Sequence, residues 1–186
     1  MPKVVDTRTA RVIREDYAGA GPCLAFPGMS SCTAVIAVLP DLLVGGHFTM
    51  DRSAVGEPAR HVVAAAQKMK DLIGDQLITR LLIVGHNDNH NPQNIRDQLG
   101  CGVGGAHEDA EVEAYDIARK KVDNLVVIAT FVGPGLRPTI QFKRQDKVTE
   151  ARLGGPPANR EEMSVYDADI NVSFTLHTLR KHFVTM

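Results

Sequence analysis

Two apolar runs flank a Pro-Asp pair: Thr33-Ala-Val-Ile-Ala-Val-Leu39 comes before Pro40-Asp41, and Leu42-Leu-Val-Gly-Gly-His-Phe-Thr-Met50 follows it. β-branched residues favour strands, and Pro-Asp favours a turn between them. The pattern predicts a β-hairpin and commits the core to a sheet. With Pro40-Asp41 as the central turn residues, the partner of residue i is 81 − i, so Cys32 lies opposite Thr49. His47, two positions along, then shares a face with Cys32 as a diagonal neighbour. A turn centred on Leu39-Pro40 puts Cys32 directly opposite His47 instead. A one-residue loop change or a bulge at Gly45-Gly46 reverses the relation, because side-chain parity has a period of two.

Elsewhere strands outnumber helices. Pro58 to Ile73 reads as a helix, with Pro58 at its first position, Val62, Val63, Ala66, Met69 and Ile73 on one face, and Gly74 as the stop. Leu77 to Val84 reads as a buried strand leaving into the polar loop Gly85 to Asn91. Asn91-Pro92 starts a short helix that Gly100 ends, and Glu108 to Lys121, acidic early and basic late, reads as another. Leu125 to Val132 and Thr139 to Phe142, probing on toward Val148, read as strands around a Gly-Pro-Gly turn. Ile170 to Thr178 alternates like a terminal strand, and residues 1–20 read as an edge strand or arm anchored by Val4, Val5, Val12 and Ile13. The expected class is α/β, with layered mixed or antiparallel sheets packed with helices.

The 186 residues give room for one domain, 1–186, with a core of about 20–155 and a C-terminal extension, 156–186. Hydrophobic residues make up 44% and charged ones 23%, a balance that disfavours disorder. Lys and Arg number 21 against 22 Asp and Glu, so the basic excess of a nucleic-acid or anionic-membrane surface is missing. With no Trp, six Phe and three Tyr, stacking platforms are poorly supplied. The amino terminus has no apolar stretch for a signal peptide, and no run approaches the ~18 apolar residues of a membrane helix. A soluble, cytoplasmic protein is expected, delivery by a signal-less route being the other option. Three cysteines, Cys23, Cys32 and Cys101, do not read as a disulfide framework.

Cys32 and His47 form the first chemical candidate. A cysteine nucleophile needs a base that takes its proton and later protonates the leaving group, and histidine titrates in the right range. Pro27-Gly-Met-Ser-Ser-Cys32 is a small-residue turn able to aim several backbone N–H groups at one oxyanion. Gly45-Gly46 leaves space for a substrate backbone beside the histidine. The alternative is a small buried cysteine and a structural histidine. A second set, His86, His90 and His107 with Cys101, Asp88 and Glu108, has donors suited to zinc. The i,i+4 spacing of His86 and His90 serves a metal only on a helix, and their segment reads as loop, so solvated loop histidines are preferred. No phosphate loop or dinucleotide fingerprint is present.

Ser30-Ser-Cys32 opening an apolar strand, followed by Gly45-Gly-His47, resembles the bacterial chemoreceptor glutamine deamidase family (CheD). More distantly it is similar to the catalytic domains of cytotoxic-necrotizing-factor-like deamidases. A long helix, a strand ending in Gly85, and Gly133-Pro-Gly-Leu-Arg-Pro-Thr-Ile-Gln-Phe142 keep the family's order over about Cys23 to Leu153. The resemblance implies the CheD/necrotizing-factor-like fold and a protein-glutamine deamidase with Cys32 as nucleophile and His47 as base. It implies Ser31 as an oxyanion or third residue, a protein substrate carrying glutamine on a helix or loop, and no cofactor or metal. Two positions depart: the glycine before Ser-Cys is Ser30, and the family's threonine is Phe26. The threonine's catalytic support is then lost or supplied by another group such as Ser31, Thr49 or a backbone carbonyl. These departures also motivate a non-catalytic adaptor on the same scaffold, and the loop histidines a metal-dependent hydrolase.

Overall fold

The computed structural model describes residues 9–49, 53–85, 91–116, 125–144, 162–164, 173–175 and 180–183. The expected hairpin is formed by β4 (Thr33–Val38) and β5 (Leu43–Phe48). Thr33 pairs with Phe48, Ala34 with His47 and Val38 with Leu43, each pair summing to 81. The Pro40-Asp41 turn therefore sets the register, and no bulge interrupts it.

This hairpin lies inside a six-stranded sheet. β4 also pairs antiparallel with β6 (Arg80–Gly85), which pairs parallel with β7 (Glu111–Asp116). β2 (Ala18–Gly21) flanks β5, and β12 (Arg180–Phe183) flanks β7, giving the order β12-β7-β6-β4-β5-β2. The second sheet contains β1 (Thr9–Val12), β3 (Cys23–Phe26), β8 (Leu125–Thr130), β9 (Thr139–Arg144), β10 (Glu162–Ser164) and β11 (Ser173–Thr175). Its order is β10-β1-β3-β8-β9-β11, with β1 and β3 parallel. The fold is α/β with two mixed sheets and two helices among the described residues. The segment 156–186 contributes the described strands β10, β11 and β12 to these sheets.

Side-chain parity builds the layers. Leu24, Phe26, Ile36, Leu43, Leu82 and Val127 fill the space between the sheets. The opposite face of the hairpin sheet, with Val35, Val44, Leu81 and Ile83, packs against the helices. Helix α1 (Arg60–Ile73) buries Val62, Ala65, Ala66, Met69 and Ile73, a stripe at the spacing of one helical face. Val63, expected on that face, is 41% exposed because its position is turned about 100° from Val62. Pro58 precedes the cap residue Ala59 rather than opening the helix, and Gly74, at φ 58°, closes it. Helix α2 (Pro92–Gln98) starts as expected, with the Asn91 side chain accepting from Gln93 N–H at 3.2 Å.

The expected helix over Glu108 to Lys121 is not formed in its described part, where β7 lies. The acidic residues that mimic a favourable helix start differ sharply in burial instead. Glu111 is exposed, while Glu113 is buried and bound by Arg80, Arg137 and Tyr115. Six ladder pairs to β6 outweigh local helix preference here. β1 is likewise not an edge, since it lies between β10 and β3. Val4, Val5, Val148 and the Gly154-Gly-Pro-Pro157 break lie outside the described residues. No described helix is long and apolar enough to cross a membrane.

Candidate active site

Cys32 ends the Pro27–Cys32 turn and directly precedes β4. Gly28 takes φ 69°, a left-handed conformation suited to glycine, and its carbonyl accepts from Ser30 N–H at 2.8 Å. Beyond the turn, Cys32, Ala34, Ile36 and Val38 all face the second sheet. His47 stands opposite Ala34, so the register makes it a diagonal neighbour of Cys32 on that face. Both residues are buried, each 1% exposed.

The glycines before His47 serve packing rather than substrate access. A Cβ on Gly45 would lie 2.6 Å from Phe26 Cζ and 2.7 Å from Leu24 Cδ1, across the intersheet space. A Cβ on Gly46 would meet Met69 Sδ and Phe48 Cε1, both at 2.7 Å, on the helix side. The Phe26 ring meets that of His47 edge-on at 6.2 Å and 77°. It shapes the imidazole's surroundings but offers no hydrogen bond.

That support comes from the backbone. His47 Nδ1 lies 2.9 Å from the Ile13 carbonyl oxygen. A carbonyl only accepts, so Nδ1 carries the proton and Nε2 carries the lone pair. Nε2 is buried and has no hydrogen-bond partner among the described residues. Burial holds the histidine pKa below its ordinary value, against the opposing effects of the Ile13 bond and the Glu15 and Asp16 charges. His47 is thus a neutral base with its lone pair unengaged. Of the supports weighed from sequence, Thr49 is engaged otherwise, its Oγ1 donating to Asp16 Oδ1 at 3.2 Å.

The cysteine has a different partner from the one expected. Cys32 Sγ donates to Glu15 Oε1 at 2.8 Å, and no hydrogen bond joins it to His47. Burial pushes the thiol pKa up to about 12, helped by the Glu15 hydrogen bond and charge and by the Asp16 charge. Ser31 hydrogen-bonds the same side chain and works in the opposite direction. The resting group is a protonated thiol bound to Glu15, where the resemblance implied a nucleophile paired with His47. Glu15 reaches it from the Arg14–Tyr17 turn, closed by Tyr17 N–H to the Arg14 carbonyl at 3.0 Å. No protein-family model matches this chain, and no curated protein matches it significantly.

Sequence reasoning missed Glu15 and Ile13. Val12-Ile13 followed by Arg-Glu-Asp signals a strand running into a polar turn, but nothing local indicates where that turn docks. The other cysteines have plainer surroundings. Cys23 Sγ lies 3.5 Å from Thr130 Oγ1, and Cys101 Sγ donates weakly to the Leu99 carbonyl at 3.8 Å. All three are buried, and none is in a disulfide with another described cysteine.

The second candidate set is not brought together within the described part. His107 Nδ1 accepts from Ile78 N–H at 3.3 Å, and Glu108 Oε2 accepts from Gly104 N–H at 2.8 Å. His86, Asp88 and His90 lie outside the described residues. Among the described residues no three of His, Cys, Asp and Glu are grouped to hold a metal.

Proposed function

We propose that this chain is a cysteine-dependent protein-glutamine deamidase on a CheD/necrotizing-factor-like scaffold, acting in the cytoplasm on a glutamine-bearing helix or loop. The observation that carries the reading is the unengaged Nε2 of neutral His47, on the same sheet face as Cys32. A buried nitrogen lone pair without a partner is costly to a fold. A proton delivered by a neighbouring thiol would satisfy it.

In this mechanism Glu15 gives way to the substrate carboxamide. Cys32 Sγ passes its proton to His47 Nε2 and forms a bond to the carboxamide carbon. Backbone N–H groups of the Ser31-Cys32 turn hold the oxyanion. His47 returns the proton to the nitrogen as the C–N bond breaks, and ammonia leaves. Water then gives a proton to His47 and its oxygen to the thioester carbon. Release of the thiol, which regains that proton, leaves a glutamate side chain. These steps need no metal or cofactor.

A second reading, a non-catalytic binding domain, is favoured by the Cys32–Glu15 hydrogen bond, which holds the thiol protonated. Mass spectrometry of glutamine-bearing protein substrates separates the two. Cys32→Ser and His47→Ala are expected to abolish Gln-to-Glu conversion while leaving the circular dichroism spectrum intact. Conversion persisting in Cys32→Ser overturns the deamidase reading.

A further inference from the structure

The Arg14–Tyr17 turn brings a carboxylate from the chain's own surface to the buried nucleophile. Glu15 is exposed at the turn, yet its Oε1 accepts from the buried Cys32 thiol at 2.8 Å. A glutamate side chain on a turn has the chemistry of the product that the proposed reaction would release. We propose that the Arg14–Tyr17 turn is an autoinhibitory latch whose Glu15 occupies, in product form, the place of the substrate's glutamine side chain. This inference rests on the deamidase reading of the same site.

The latch has fastenings of its own. Asp16, next to Glu15, adopts φ 64° and is the only described residue other than glycine with a positive φ. Asp tolerates this left-handed conformation better than most residues with a Cβ, and the surrounding contacts hold it there. Lys68 Nζ, from α1, donates to the Asp16 carbonyl at 2.7 Å and lies 5.6 Å from the Tyr17 ring centroid. Thr49 Oγ1 donates to the Asp16 carboxylate, and Asp16 N–H donates to the His47 carbonyl at 2.9 Å. The turn thus grips the strand carrying His47 as well as the thiol. The main-chain bonds to His47 are buried, whereas the Lys68 and Tyr17 contacts are exposed, so a docking partner that competes for Lys68 or Tyr17 would loosen the turn. Release removes the acceptor from the thiol and leaves Cys32 and His47 facing the same vacated space.

The latch is tested on the full chain by the rate of Cys32 alkylation with iodoacetamide at pH 8, read by peptide mass spectrometry. Glu15→Ala is expected to raise the rate at least ~10-fold, since the thiolate is the reacting form. Lys68→Ala leaves Glu15 in place but unfastens its turn, and is expected to raise the rate several-fold. It also serves if Glu15→Ala melts below the assay temperature. An unchanged rate in folded Glu15→Ala, or in Lys68→Ala, overturns the latch. Failure of the deamidase reading is a separate result: faster alkylation in Glu15→Ala with no gain in Gln-to-Glu conversion leaves a latched but non-catalytic thiol.

Discussion

The Ile13 carbonyl accepts a hydrogen bond from His47 Nδ1 at 2.9 Å, and this one bond decides which imidazole nitrogen can act as a base. Ile13 immediately follows β1 in one sheet, whereas His47 lies in β5 of the other. The protonation pattern of the site is therefore set by how the two sheets meet.

Burial makes that arrangement sensitive to acid. The folded pKa of His47 lies below its ordinary value of 6.5, so between the two values the unfolded chain binds the extra proton. His47 thus contributes stability that is fully present above about pH 6.5 and declines as pH falls, with a slope of up to about 1.4 kcal/mol per pH unit. Tm measured from pH 8 to 5 should fall for the wild type, and the fall should be shallower in His47→Asn. Equal slopes in the two proteins would contradict a buried neutral imidazole.

The thiols act at the other end of the scale. Cys32 and Cys101 are pushed up to about 12 from an ordinary 9.0, so the unfolded chain loses these protons first as pH rises. Their contribution is fully present below about pH 9 and is lost as pH climbs from there toward 12. Cys32→Ser should recover part of the alkaline loss of stability, and Cys32→Ser/Cys101→Ser more. Urea midpoints measured between pH 8 and 10.5 check this. A single variant that matches wild type throughout would remove Cys32 from the account.

Gly45 marks a close intersheet approach beside the histidine. Gly45→Ala drives a methyl group against the Phe26 ring and the Leu24 side chain, both fully buried. Overpacking of this kind costs about 1–3 kcal/mol. The variant should lower the urea midpoint accordingly and reduce Gln-to-Glu conversion, because the Phe26 ring that must move abuts His47. A midpoint equal to wild type would mean that the sheets are not held this close.

Glu113 ties the two sheets together at their far side. From β7 it accepts from Tyr115 Oη and Arg80, and it binds the Arg137 guanidinium, which precedes β9, through both carboxylate oxygens. The carboxylate is fully buried while Arg137 is 40% exposed. Glu113→Ala removes the acceptor that Tyr115, Arg80 and Arg137 share, while half-buried Arg80 keeps its 2.6 Å ion pair with Glu111, and should cost about 1.5–3 kcal/mol. Arg137→Ala should also destabilise, because it removes the main cation from a buried carboxylate. Urea unfolding of both variants provides the measurement. A loss under about 1 kcal/mol in Glu113→Ala would show that the cluster is solvated.

Local signals account for much of the architecture. Pro40-Asp41 and the apolar runs around it specify the hairpin and its register, because turn geometry and side-chain parity act over neighbouring residues. Asn91-Pro92 and Gly74 likewise mark helix ends by local backbone chemistry. Glu111 to Asp116 defeats such reasoning. Its charges suit a helix, and the ladders to β6 and β12 with the arginines around Glu113 make the strand favourable. Gly45-Gly46 reads as open space until Phe26 and Met69 are seen to fill it.

The site divides along the same line. A two-residue Pro-Asp turn and a side-chain period of two put Cys32 and His47 on one face of the hairpin as long as no bulge intervenes, and none does. Only the tertiary structure decided that His47 leans on Ile13 and that Cys32 is held by Glu15. Those contacts span 34 and 17 residues and depend on docking one sheet and its turn against another. No periodicity encodes such a meeting, because it arises from the packing of the whole intersheet core.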